Sequence, residues 1–121
     1  MEYSVIGKAV PRRDLPEKLT GQAVYTSDVR LPGMLHGKVL RSPHPHARIL
    51  AADTTRAAQL LGVYAILTPF DVPDGRVAPD LPILDSEVRF AGDEVAAVAA
   101  EDEDIAQEAI ELIEVQYDPL P

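Results

Sequence analysis

The 121-residue chain has no cysteine and no tryptophan, and only two phenylalanines and four tyrosines. The missing cysteine excludes disulfides, thiolate-bound zinc and thiolate-bound iron–sulfur clusters within these residues. It also fits a cytoplasmic protein. With so few rings, the core has to be built from Val, Ile, Leu and Ala. No apolar run approaches the ~18 residues needed to span a bilayer, so no membrane partner is expected. Met1-Glu2-Tyr3-Ser4 lacks the basic start and apolar block of a secretory signal.

Clustered positive charge is scarce as well. The formal net charge is −9, and it is unevenly spread. Residues 1–50 carry eight Lys/Arg against four Asp/Glu, whereas residues 51–121 carry three against sixteen. Nucleic acid is therefore not an expected partner, because phosphate binding needs grouped cations. Arg12, Arg13 and Lys18 are interrupted by Pro11, Asp14 and Pro16 and do not form such a group. The split can be two solvated surfaces or two faces that dock on neighbouring domains.

What is present is a balanced soluble composition, 46% apolar and 26% charged. Its length is that of one domain, able to bury about two-thirds of the surface its unfolded chain exposes. Residues 1–19 read as an extended arm, with Pro11 and Pro16 interrupting regular structure. Gly21–Thr26 carries a short strand signal, and Leu31-Pro32-Gly33 a turn. Leu35–Arg41 and Ala47–Ala52 read as strands separated by the bends of Pro43 and Pro45. Asp53 or Thr54 caps a helix over residues 56–61 that Gly62 ends. Val63–Thr68 is apolar almost throughout and reads as a buried strand. Residues 69–82, rich in proline, read as a long loop, which in a small domain is functional or flexible.

Val88-Arg89-Phe90 reads as a short strand turned by Gly92. Glu94–Ala100 is a second buried-strand candidate, and its small side chains imply that another element packs close against it. Asp102, Glu103 and Asp104 suit a helix start, where carboxylates accept from free amides and oppose the dipole. Ile105, Ala109, Leu112 and Ile113 form one apolar stripe along that helix. Glu114–Tyr117 is a final alternating strand. Strands outnumber the two helices, so the class is α+β, a mixed sheet covered by helices, rather than a doubly wound parallel sheet.

Few residues suggest chemistry. His44 and His46 would share one face of an extended chain, as some metal sites require, but only His36 remains to join them. Hydrogen bonding to backbone at a kinked strand junction is the simpler role. The Glu101–Asp104 carboxylates do not follow calcium-loop spacing. Neither a phosphate-cradling glycine loop nor a Gly-x-Ser-x-Gly elbow is present, and Ser27, Ser42 and Ser86 have no evident base. No catalytic, cofactor-binding or metal-ligating residue is assigned.

The order of motifs carries more than any one of them. Ile6–Asp14 and Lys18–Asp28 are followed by Arg41-Ser42-Pro43-His44-Pro45-His46-Ala47-Arg48-Ile49. Asp71-Val72-Pro73, Val88–Glu101 (a V-R-x-x-G-x-x-V-A-x-V block) and Val115–Pro121 complete the series. In this order and spacing they resemble the N-terminal α/β-hammerhead domain of the molybdenum-containing large subunit of the xanthine dehydrogenase, aldehyde oxidase and carbon monoxide dehydrogenase family. The resemblance implies an arm at 1–19 and a hammerhead domain at 20–121, part of a molybdenum-dependent oxidoreductase and inactive alone. It implies no cofactor within these residues. The molybdenum pyranopterin would lie in downstream domains of the same subunit, with 2Fe-2S clusters and FAD on partner domains or subunits. In some members the segment before the V-R-x-x-G block lines the substrate channel, which here makes Ile83 and Leu84 the candidates, ordinary loop packing being the alternative. A start at Met1, just ahead of the match, suggests a separate large subunit. A stand-alone interaction module reusing the fold is the rival expectation.

Overall fold

A computed structural model describes residues 4–72, 76–78 and 81–121, and the chain divides into two units, Met1–Pro32 and Gly33–Pro121. In the first unit the end of the stretch expected as an arm is helical, and the expected strand is absent among the described residues. Leu15–Leu19 is a short helix, α1, with Pro16 in its first turn. Proline does not interrupt here because the first helical amides have no intrahelical partner to lose. Gly21, at φ 72°, terminates the helix. Its amide donates to the Lys18 carbonyl, and the Gln22 amide reaches back to the Glu17 carbonyl at 2.8 Å. These are the paired closing bonds of a left-handed helix terminus. That role is why residues 21–26 do not form the expected strand; Thr26–Asp28 make one 3-10 turn instead.

The second unit holds the core. Its elements run β1 (His36–Arg41), β2 (Ala47–Asp53), α2 (Thr55–Ala58), β3 (Val63–Leu67), β4 (Arg76–Ala78), β5 (Leu81–Pro82), β6 (Glu87–Val88), β7 (Glu94–Ala100), α3 (Glu103–Glu111) and β8 (Glu114–Pro119). The class is α+β, as expected. All strand pairings are antiparallel, in two three-stranded sheets of order β1-β7-β3 and β6-β2-β8 and a small β4-β5 hairpin. That hairpin lies inside the stretch read as loop, where prolines mask the strand pattern. Residues 73–75, 79 and 80 of that stretch lie outside the described residues.

α3 covers one face of the first sheet with Ala106, Ala109, Ile110 and Ile113. Ala106 and Ile110 thus centre the buried face rather than Ile105 and Leu112. Ile105 is turned to the rim, where a Cβ added to Gly62 would stand 2.8 Å from its Cδ1. Gly62 is at φ +91°, a backbone setting that suits glycine, and its carbonyl accepts from the Glu101 amide at 2.9 Å. Asp102 caps α3 by accepting from the Ile105 amide at 2.8 Å. Asp53 Oδ1 accepts from the Thr55 amide at 2.9 Å, but α2 is shorter than expected, ending at Ala58.

Ala47, Ile49, Val88 and Val95 form the second core cluster, and Leu40 and Val115 pack against both clusters. β3 is not buried as its sequence suggested. It is an edge strand covered on one face, which leaves Tyr64 67% exposed. β6 stops at Val88 because the Arg89 amide donates to Asp93 Oδ2 at 2.9 Å instead of joining a ladder.

Candidate functional site

The candidate residues Ile83 and Leu84 follow β5, on the segment leading into β6, and the fold separates them. Leu84 is 8% exposed and Ile83 48%. Two recesses adjoin this segment. The larger, about 580 Å³, has Phe70, Arg76, Leu84 and Arg89 in its lining; the smaller, about 280 Å³, has Ile83, Leu84, Arg89 and Phe90. Leu84 and Arg89 are common to both, whereas Ile83 borders only the smaller.

Each wall is fixed by local bonding. Asp71 Oδ2 accepts from the Thr68 amide at 2.8 Å and the Thr68 hydroxyl at 2.7 Å, and the Phe70 amide donates to that hydroxyl. These bonds hold the Asp71 carboxyl below the usual range, the Thr68 hydroxyl contributing most. Arg89 Nη1 donates to Asp85 Oδ2 at 2.8 Å, and its Nε lies 3.6 Å from Glu87. Burial pushes the Asp85 carboxyl up, but the Arg89 guanidinium and the Glu87 amide outweigh it, and the net displacement is downward. The Arg89 guanidinium is held above its ordinary value by the same partner. The recesses therefore present the Arg89–Asp85 ion pair among mixed polar and apolar side chains, with Arg76 in the larger lining and Asp93 and Glu94 in the smaller.

The sequence reading passed over Phe70 and Phe90, which are 51% and 56% exposed beside this segment. They are the chain's only phenylalanines. The signal in the sequence is their position next to turn residues, in Thr68-Pro69-Phe70-Asp71 and Phe90-Ala91-Gly92; Phe90, expected at the end of a strand, lies past it because β6 ends at Val88.

The histidines do not converge. The His44 ring packs against Tyr117 with centroids 4.8 Å apart, while His46 Nδ1 lies 2.9 Å from the Pro121 carbonyl and Nε2 3.6 Å from Glu87. His46 thus bonds to backbone as expected, although to the chain terminus rather than a neighbour. The Ser42 hydroxyl donates to the His44 carbonyl and accepts from the His44 amide, so it is occupied by a turn. Burial raises the Tyr117 phenol, partly opposed by its bond to Ser42. Among the described residues, no three His, Asp or Glu side chains stand close enough to share a metal ion. No helix among them is long and apolar enough to cross a membrane.

These features define an α+β scaffold with an open, aromatic-flanked recess of mixed polarity. A family model described as "Aldehyde oxidase and xanthine dehydrogenase, a/b hammerhead domain" matches residues 20–121, and the chain belongs to that family. It is 45% identical to the carbon monoxide dehydrogenase large chain of Afipia carboxidovorans, covering 84% of this chain and 14% of that one. It is 48% identical to a probable xanthine dehydrogenase component of Bacillus subtilis (strain 168), covering 91% of this chain and 16% of that protein. The solved quinoline 2-oxidoreductase of Pseudomonas putida 86 superposes with a TM-score of 0.88 at 34% identity, over 99% of this chain and 17% of that chain. The chain therefore spans about a sixth of the length of these relatives.

Proposed function

We propose that the chain is the hammerhead part of a molybdenum hydroxylase large subunit, acting as a scaffold and as a wall of the substrate channel. The match over residues 20–121 to a segment of much longer oxidoreductase chains carries this reading. It also favours the subunit-part expectation over a stand-alone module. The arm at 1–19 and the domain at 20–121 belong to the same proposal, as do iron–sulfur and FAD-bearing partner subunits and a cytoplasmic setting.

The chain's own donors do not fit a molybdenum pyranopterin. The larger recess is lined by the guanidinium groups of Arg76 and Arg89, the latter already bonded to Asp85, and the chain has no thiolate. In this proposal the cofactor is held by downstream domains, and no chemical step is assigned to these residues. Their contribution is shape. Ile83 and Phe90 supply the exposed apolar part of the smaller recess, beside Asp85, Arg89, Asp93 and Glu94, and the buried Leu84 borders it too.

The test is Ile83→Ala in the longer, cofactor-loaded subunit, with kcat/KM measured for several substrates of different width. A change that differs between substrates supports a channel position. Unchanged ratios remove it. Molybdenum content and substrate-dependent reduction of the longer protein test the enzyme class itself.

A further inference from the structure

We propose that the outer face of the β1-β7-β3 sheet is the docking surface for the remaining polypeptide of the same subunit, through an uncharged apolar element that packs close to the strands. The register sets two rows across the three strands. Val39, Ala97 and Leu67 align in one, and Gly37, Ala99 and Ala65 in the other. None of the six has a polar side-chain atom. Val39 and Leu67 are 40% and 42% exposed, while the alternate residues Leu40, Val98 and Ile66 pack inward on the α3 cluster. Small residues at the second row let a covering element approach closely.

The other sheet supplies the contrast. Its outer positions pair Arg48 with Asp118, Ala51 with Gln116 and Asp53 with Glu114, with the exposed Leu50 at the register shift between them, the largely polar exterior expected of a sheet that faces water. The two rows end at the exposed Arg41–Glu94 ion pair, so the uncharged area is the one spanned by Gly37, Val39, Ala65, Leu67, Ala97 and Ala99. The sequence says the same: Glu94–Ala100 continues apolar on both faces after its first residue, the pattern of a strand covered on both sides. α3 supplies one cover only.

The occupant follows from length. In the relatives this segment makes up 14–29% of a single chain. An apolar element in the same chain acts at an effective concentration of roughly millimolar and outcompetes a second copy. This inference rests on the reading of the chain as part of a longer subunit and adds the surface through which it is held.

The test is cysteine labelling in the full-length subunit. Val39→Cys and Leu67→Cys are made singly, and peptide mapping follows maleimide modification in native and urea-unfolded protein. The expected result is native labelling about a hundredfold slower than unfolded, since reaction then waits on local opening. Labelling near the unfolded rate in a subunit that still binds molybdenum overturns the docking surface and leaves the functional reading standing. Absence of molybdenum and of substrate-dependent reduction overturns the functional reading whatever the labelling. Protection lost on dilution, together with a halved solution mass, assigns the face to a second copy and also overturns the inference.

Discussion

Leu84 and Ile83 are adjacent isomers that the fold treats oppositely, which permits a matched experiment. Leu84 is 8% exposed and forms the floor between two recesses; Ile83 is 48% exposed and borders one. Leu→Ala in a closed core costs about 2–5 kcal/mol, the larger values going with cavities that cannot collapse. Here the site opens to solvent on both sides, so water can fill the space and the β5–β6 segment can settle. Leu84→Ala should therefore cost about 2 kcal/mol, at the lower end of that range. Ile83→Ala removes a half-exposed side chain and should stay within about 0.5 kcal/mol. For a unit of this size 1 kcal/mol moves the midpoint by roughly 4–8 °C, so Leu84→Ala should melt roughly 8–16 °C lower and Ile83→Ala less than roughly 4 °C lower. Far-UV circular dichroism of the 121-residue chain reads the thermal midpoint, and parallel guanidinium titrations give the free energy. Equal losses in the two variants, or less than about 1 kcal/mol lost by Leu84→Ala, would refute the assignment of Leu84 to the floor and Ile83 to the wall.

Gly62→Ala should cost about 2–3 kcal/mol, from a positive φ and from contact with Ile105 and Glu101, whose flexible ends yield in part; a denaturant midpoint unchanged from wild type would contradict this. Asp102→Ala should cost about 1 kcal/mol by leaving the Ile105 amide without its acceptor, whereas Asp102→Asn should retain most of it. Both are read by the same titrations. The Asp85 carboxyl is lower in the folded chain than its ordinary value, with the Arg89 bond overcoming burial. Its stabilisation is then present above the unfolded pKa of about 3.9 and is lost as pH falls through the folded value. Arg89→Gln should accordingly flatten the loss of stability between about pH 5 and pH 2, and an identical acid limb in the variant would show the pair to be inert.

Local rules made much of the second unit readable. β1, β2, β7 and β8 appeared as strand patterns because each alternates or runs apolar between evident turn residues. Asp102 declared its cap by standing ahead of an amphipathic run. The misreadings came from residues whose roles depend on more distant partners. Pro16 looked like a breaker but occupies the one helical turn where a missing amide costs nothing, and Gly21 ends that helix rather than opening a strand. Ile105 belongs to the apolar stripe by periodicity, yet the close approach of Gly62 places it at the rim. The candidate segment was legible as a position and not as a surface. Nothing local distinguishes Ile83 from Leu84, and only the fold brings Phe70, Arg89 and Phe90 around them.

β3 poses the deeper problem, because Val63–Leu67 reads as doubly covered while the fold covers one face. Either the pattern misleads or the cover lies elsewhere, and the remaining surface decides between these. Among the described residues no buried side-chain nitrogen or oxygen lacks a hydrogen-bond partner. Arg89, Asp71, Asp85 and Ser42 are satisfied internally. Exposed apolar side chains stand beside these groups: Val39 and Leu67 on the sheet, and Phe70, Ile83 and Phe90 around the recess. On the docking proposal these side chains supply shape to a larger assembly rather than charge to a reaction. The same proposal accounts for the pattern of β3, because in a longer subunit a second covering element would bury the face that these residues leave open.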